Sequence, residues 1–166
     1  MKVMSIDAST KSTGVALFDN GKLIDYKNFT ESGTDTFRRI KNMTKKIEDY
    51  FLEHSPDRII LEEVLPEDVR NNQKTFKPLI YLQSNLVLMF HEYKKTVELV
   101  NVNTWRKTLG IPTGMYAKRE LCKQKSIELI KKKYGIDAND DVCDAICIGC
   151  AGQMGIVNED GEPSAF

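Results

Sequence analysis

The chain has 166 residues, of which 41% are hydrophobic, 29% charged and 8% aromatic, the size and make-up of one ordinary domain with enough apolar material for a core. Its 5 prolines and 10 glycines exclude collagen-like and low-complexity classes, and no apolar run approaches the roughly 20 residues needed to cross a bilayer. The 24 basic and 24 acidic residues cancel, yet every base lies before residue 135 against only 17 of the acids, so the first 134 residues carry a formal +7 and the rest −7; that separation suits a basic binding surface beside a carboxylate cluster.

Along the chain, Lys2 to Asp7 alternates, Gly14 to Phe18 is apolar, and Leu23 to Phe29 alternates again, with Asn20-Gly21 between the second and third segments. This pattern predicts three antiparallel strands with a tight hairpin. From Thr34 the period becomes helical. Phe37, Ile40, Ile47, Tyr50 and Phe51 share a stripe, Arg38, Arg39, Lys41, Lys45 and Lys46 fall largely elsewhere, and Pro56 ends the helix.

Arg58 to Val64 reads as a fourth strand, covered on both faces and therefore parallel and central, because Ile59-Ile60-Leu61 is continuously apolar. A helix over Thr75 to Lys94, with Pro78 in its first turn, carries apolar residues most of the way round. Val97 to Val102 is a fifth strand. Two more helices follow, Ala117 to Tyr134 closed by Gly135, and Asp140 to Gln153 capped by Asn139. The order βββαβα(β)αα is mixed α/β in a single domain over residues 1–166, with 157–166 as a flexible acidic tail. Aspartate at position 7 interrupts what would be the apolar core of a signal peptide, and Cys122, Cys143, Cys147 and Cys150 do not form a disulfide framework, so reduced thiols and a cytoplasmic location are expected.

Asp7 ends the first strand and Glu62 stands near the end of the fourth; if those strands are parallel neighbours, the two acids meet at one sheet edge. Asp141 and Asp144, three apart on a helix, project from one face toward the same edge. Four converging carboxylates offer hard oxygen ligands suited to Mg²⁺, with Mn²⁺ able to substitute, and two such ions beside basic segments suit phosphodiester hydrolysis. Taken singly, each acid could instead cap a turn, end a strand in solvent or stabilise a helix N-terminus.

Ser5-Ile6-Asp7-Ala8-Ser9 with Thr13-Gly14, Ile60-Leu61-Glu62-Glu63-Val64, and Asp140-Asp141-Val142-Cys143-Asp144-Ala145 together resemble RuvC-type Holliday junction resolvases, most nearly the small versions found in phages of lactococci. The resemblance spans Lys2 to about Gly152. It implies an RNase H-like mixed five-stranded sheet flanked by helices, and a metal-dependent endonuclease acting on branched DNA (Holliday junctions, forks, flaps) through a two-metal-ion mechanism. It also implies a homodimer and, for a phage protein, the host cytoplasm.

Carried over by position, Asp7, Glu62, Asp141 and Asp144 are the metal-binding and catalytic acids. Glu63 should face the other side of its strand and Asp140 another side of its helix. Lys118 matches a position that contacts DNA near the cleaved phosphate, which implies a catalytic as well as a DNA-binding role for it, and Arg119 follows it as a DNA-binding residue on a strongly basic helix. Where many cellular relatives carry an aromatic wedge three residues after the active-site glutamate, this chain has Leu65. An aliphatic wedge can still unstack a base step, with broader branched-DNA cleavage as the expected consequence.

Trp105, ahead of Arg106 and Lys107, reads as a core anchor more than a base-stacking platform. Cys143, Cys147 and Cys150 have iron–sulfur spacing but form one helical stripe, turned away from Asp141 and Asp144, that reads as small hydrophobes packed in the core. All-round apolarity marks the Thr75 to Lys94 helix either as a dimer interface or as a helix buried by its own domain. Rival functions are another RNase H-like nuclease, cutting RNA or an RNA–DNA hybrid, and a non-catalytic junction-binding protein.

Overall fold

A computed structural model describes residues 1–65, 73–114 and 117–154. The expected acidic tail over 157–166 lies outside them, as do Pro66, Met115 and Tyr116.

Five strands form one mixed sheet in the order β3-β2-β1-β4-β5: β1 (Lys2–Asp7), β2 (Ser12–Asp19), β3 (Lys22–Thr30), β4 (Arg58–Glu62) and β5 (Val97–Val100). The first three are antiparallel. Asn20 and Gly21, both at positive φ (47° and 82°), turn the β2–β3 hairpin, the backbone sign that an Asn-Gly pair supplies at least cost. β4 pairs parallel with β1 in the register Ile6↔Leu61, and β5 pairs parallel with β4.

The helices are α1 (Thr36–His54), α2 (Gln73–Glu92), α3 (Val102–Thr108), α4 (Arg119–Tyr134) and α5 (Asp140–Gln153). Strand periodicity sorts the core into two layers. Met4, Ile6, Val15, Leu17, Ile59 and Leu61 face α1 and α2, which contribute Met43, Ile47, Phe51, Leu82, Leu86 and Phe90. Val3, Ala16, Phe18, Ile60 and Val100 face α3, α4 and α5 on the other side. Among the described residues no helix is long and apolar enough to cross a membrane.

α5 is the central helix of the second layer. Every residue from Val142 to Gly152 is buried, so this helix is apolar all round apart from the acids of its first two turns. Asn139 caps it by accepting from the Val142 N–H at 3.0 Å, and Ser5 in β1 donates to the Ala145 carbonyl at 2.7 Å. Glycine permits the close approach. A Cβ on Gly14 of β2 would collide with the Asp141 carbonyl, and one on Gly149 with the Phe18 ring and the Ser5 hydroxyl.

Several expectations need correction. Val97 to Val102 is not one strand: β5 stops at Val100, Asn101 caps a new helix by accepting from the Asn103 N–H, and α3 carries Trp105. Phe37 is 71% exposed and stacks on Tyr81 (ring centroids 5.9 Å apart) instead of entering the core. Arg39 is buried, donating to the Gly33 carbonyl at 2.6 Å and to Thr36 Oγ1 at 3.2 Å. Pro78 lies inside α2, which begins at Gln73, two residues earlier than expected. The three stripe cysteines need no correction: they are free and buried among α5-side core residues, as small hydrophobes would be, with burial pushing the Cys143 thiol up to about 11.

The contact at Gly14 makes a direct test of α5 seating. Gly14→Ala forces a methyl against backbone that cannot swing aside, and overpacking of this kind costs about 1–3 kcal/mol. Denaturant unfolding should show that loss with an unchanged m-value; a variant as stable as the parent would mean that α5 is not held this close to β2.

Candidate active site

The alternation that sorts the core also aims the acids. In β1, Val3 and Ser5 face the α5 side, so Asp7, two residues on, does too; in β4, Ile60 does, and Glu62 follows. The parallel register Ile6↔Leu61 sets Asp7 and Glu62 next to each other at the carboxyl ends of adjacent strands. α5 then brings its first two turns over that edge.

Asp7, Glu62, Asp141 and Asp144 all line one pocket of about 460 Å³, together with Ala8, Ser9, Glu63, Val64, Arg106, Arg119 and Lys123. Asp140, as expected, is turned elsewhere and ion-pairs with Lys123. Glu63 also lines the pocket, one residue beyond the end of β4, its N–H donating to the Val100 carbonyl at 2.9 Å.

The electrostatics carry the mark of this crowding. Burial, then Glu62, Asp144 and Asp141 in that order, push the Asp7 carboxyl well above the usual carboxylate range, with Lys123 opposing them. Asp144 is 6% exposed and is raised chiefly by burial, against the Ser126 hydroxyl, Arg106 and Lys123. The Lys123 hydrogen bond, in contrast, holds Asp140 low.

Neutral and cationic donors engage part of this negative charge. Ser12 donates a short hydrogen bond to Asp141 Oδ2, and the Trp105 indole N–H donates to Glu62 Oε2 at 2.7 Å. Asp144 Oδ1 is buried with no hydrogen-bond partner among the described residues. As the side chains stand, no three His, Cys, Asp or Glu residues among those described form a group that could hold a metal ion. Donor type and charge do suit one: the acids present hard oxygens, one of them buried and unpartnered, and their mutual repulsion is what a divalent cation would relieve.

Of the other expected residues, Arg119 lines the pocket and Lys118 does not. Lys118 is exposed at the N-cap of α4 without a side-chain capping bond, between the pocket-lining Ala117 and Arg119. Leu65 is half-buried just beyond the pocket-lining Val64. Trp105 is fully buried, as a core anchor should be, but its bond to Glu62 adds a role that its apolar bulk does not require. Sequence reading missed Arg106 and Lys123 as pocket residues. Arg106 was hidden because no helix was expected directly after the fifth strand, and Lys123 because nothing in the strongly basic α4 sequence marks which of its cations faces the sheet edge.

No protein-family model matches the chain, and no curated protein matches it in sequence. Solved structures do share its architecture. Thermus thermophilus RuvC in complex with a Holliday junction substrate aligns with a TM-score of 0.74 at 13% identity, over 94% of this chain and 97% of that one. A further T. thermophilus RuvC structure gives 0.71 at 14% identity, over 94% and 98%. The yeast mitochondrial Holliday junction resolvase gives 0.59 at 13% identity, over 90% and 76%. At such identities the likeness establishes the fold: the chain has the RuvC or RNase H-like α/β architecture.

The raised Asp7 has a consequence for stability. Its carboxyl binds a proton more tightly in the folded state than in the unfolded one, so the cation-free protein loses stability as pH rises from the ordinary carboxylate value through the folded value. Asp7→Asn removes that penalty. In a chelating buffer at neutral pH the variant should melt a few degrees higher than the parent, and the gap should close below about pH 4, where Asp7 is protonated in both states. Thermal melts across that range measure it; a variant melting lower at neutral pH would contradict the crowded-acid account.

Proposed function

We propose that the chain is a metal-dependent, structure-selective endonuclease that hydrolyses phosphodiester bonds in branched DNA. The observation that carries this reading is the gathering of acids from β1, β4 and α5 at one sheet edge, in a pocket shared with Arg106, Arg119 and Lys123. Carboxylates alone repel a phosphate, and guanidinium and ammonium groups alone would bind it without cutting; the combination suits a phosphodiester held against divalent cations. The junction-bound state of a protein with this fold supports DNA as the partner, and the motif resemblance supports the small phage-encoded kind.

Asp7, Glu62, Asp141 and Asp144 would hold Mg²⁺, with Mn²⁺ able to replace it. Bound there, a pair of such ions supplies an activated water and charge stabilisation at the leaving oxygen. Arg106 and Arg119 would take the phosphate oxygens on either side of the cut, and Lys123, already paired with Asp140, would add positive charge without approaching the acids unscreened. Lys118, outside the pocket, would track the DNA backbone, and Leu65 would wedge at the branch. A homodimer completes the reading, since two sites can cut symmetrical strands. The exposed apolar side chains of Phe37, Tyr81 and Leu88 between α1 and α2 support a covered face there.

Labelled four-way, fork, flap and linear DNAs, with RNA and hybrid duplexes beside them, test the reading with and without Mg²⁺. Branched DNA should be nicked only with the metal. Asp7→Asn should lower cleavage by at least ~100-fold, about 2.7 kcal/mol of barrier, while branched-DNA affinity changes little; undiminished nicking by the purified variant would refute the assignment. Cleavage confined to RNA or hybrid would favour the rival nuclease, and binding without cleavage the non-catalytic protein. Lys118→Ala should weaken binding and cutting together, as a backbone contact does, whereas Arg119→Ala should slow cutting more than it weakens binding.

A further inference from the structure

Trp105 is the chain's single tryptophan and is wholly enclosed in the core on the α5 side. Hydrophobic burial accounts for the ring. It does not account for the direction of its one polar atom, which donates to Glu62 Oε2 at 2.7 Å across 43 residues of sequence. That acid lines the pocket, as does the next residue in the chain, Arg106. The Arg106 guanidinium lies 5.1 Å from the Trp105 ring centroid and faces the charge of Asp144. Two consecutive residues of the short helix α3 thus reach an acid on β4 and an acid on α5.

We propose that Trp105 is a positioning residue for Glu62: its indole N–H ties one carboxylate oxygen to the pocket wall and so prepares this acid to capture a divalent cation. The proposal rests on the nuclease reading above and adds to it the group that orients one of its ligands. A glutamate carboxylate turns readily about its terminal bond, and a ligand that must first be ordered binds more weakly than one already held. An indole donor suits the task because it only donates, carries no charge and does not titrate in the working range, so it holds the ionised carboxylate without competing for the cation. One oxygen accepts from the indole while the carboxylate as a whole keeps further lone pairs for other partners. The ring cannot drift, because Val102, Ile111, Val142 and Ile146 belong to the same enclosed cluster. Partners of this kind, one step removed from the ligands, typically set metal affinity by 10–100-fold.

The test is calorimetric titration of the DNA-free, full-length protein with Mn²⁺, comparing the parent with Trp105→Phe, Glu62→Gln and a form carrying Trp105→benzothienylalanine, which keeps the shape of the ring and replaces its N–H with sulfur. Far-UV circular dichroism and thermal melts establish that each form is folded. Both Trp105 replacements should bind Mn²⁺ about 10–100-fold more weakly than the parent, and Glu62→Gln at least as much more weakly. The benzothienylalanine form separates positioning from packing, since a space-filling role would leave its affinity at the parental value. If that form binds Mn²⁺ as well as or better than the parent while Glu62→Gln loses affinity, the positioning role is overturned and the nuclease reading stands. If the parent takes up no Mn²⁺, or Glu62→Gln matches the parent, Glu62 is not a ligand and both fall.

Discussion

Like charges confined to one place must be held there by something stronger than their repulsion. In this fold the restraint is the packing of α5 against the sheet. An apolar helix buried along nearly its whole length cannot move away from β1 and β2 without exposing a core layer to water. The absence of a side chain at Gly14 lets its first turn descend until the Asp141 backbone meets the strand. Asp141 and Asp144 are carried to the sheet edge by that descent, and Asp7 and Glu62 are fixed there by strand register. The cost appears where it must, in carboxyl groups that hold their protons too tightly and in a buried oxygen with no partner.

Much of the fold was legible because it rests on local signals. Asn20-Gly21 marked the hairpin, Asn139 and Gly135 marked helix ends, and continuous apolarity in Ile59-Ile60-Leu61 marked a strand covered on both faces. The candidate site was legible for a related reason: a period of two sends Asp7 and Glu62 to the same side once their strands are parallel, and a spacing of three puts Asp141 and Asp144 on one helix face. What the sequence concealed depended on where elements end. The fourth strand stops at Glu62, short of the expected Val64, and α3 was hidden because Asn101 starts a helix directly after a four-residue strand. Phe37 shows the other blind spot. Periodicity gives the angular position of a side chain, but whether anything lies beneath it at the end of a helix is decided by tertiary structure.

Charge segregation along the chain acquires a spatial meaning in the fold. The acidic start of α5 packs beside basic α4, so that Lys123 meets Asp140 and the lysines at the far end of α4 stay exposed. Arg106 on α3 brings a further cation against the acids of the pocket. A nearly neutral chain thereby presents a negative recess with positive edges, an arrangement that net charge alone would never disclose.

The acids of the recess are drawn from the first strand and the last helix, with β4 between them in sequence. During synthesis the three antiparallel strands and α1 can form from residues already made, but the recess lacks the strand beside β1 until β4 is laid down and its cover until α5 leaves the ribosome. Any product ending before residue 140 lacks two of its four acids, however well the remainder collapses. A growing chain therefore brings its four acids together only after α5 has been made, an order imposed by topology alone.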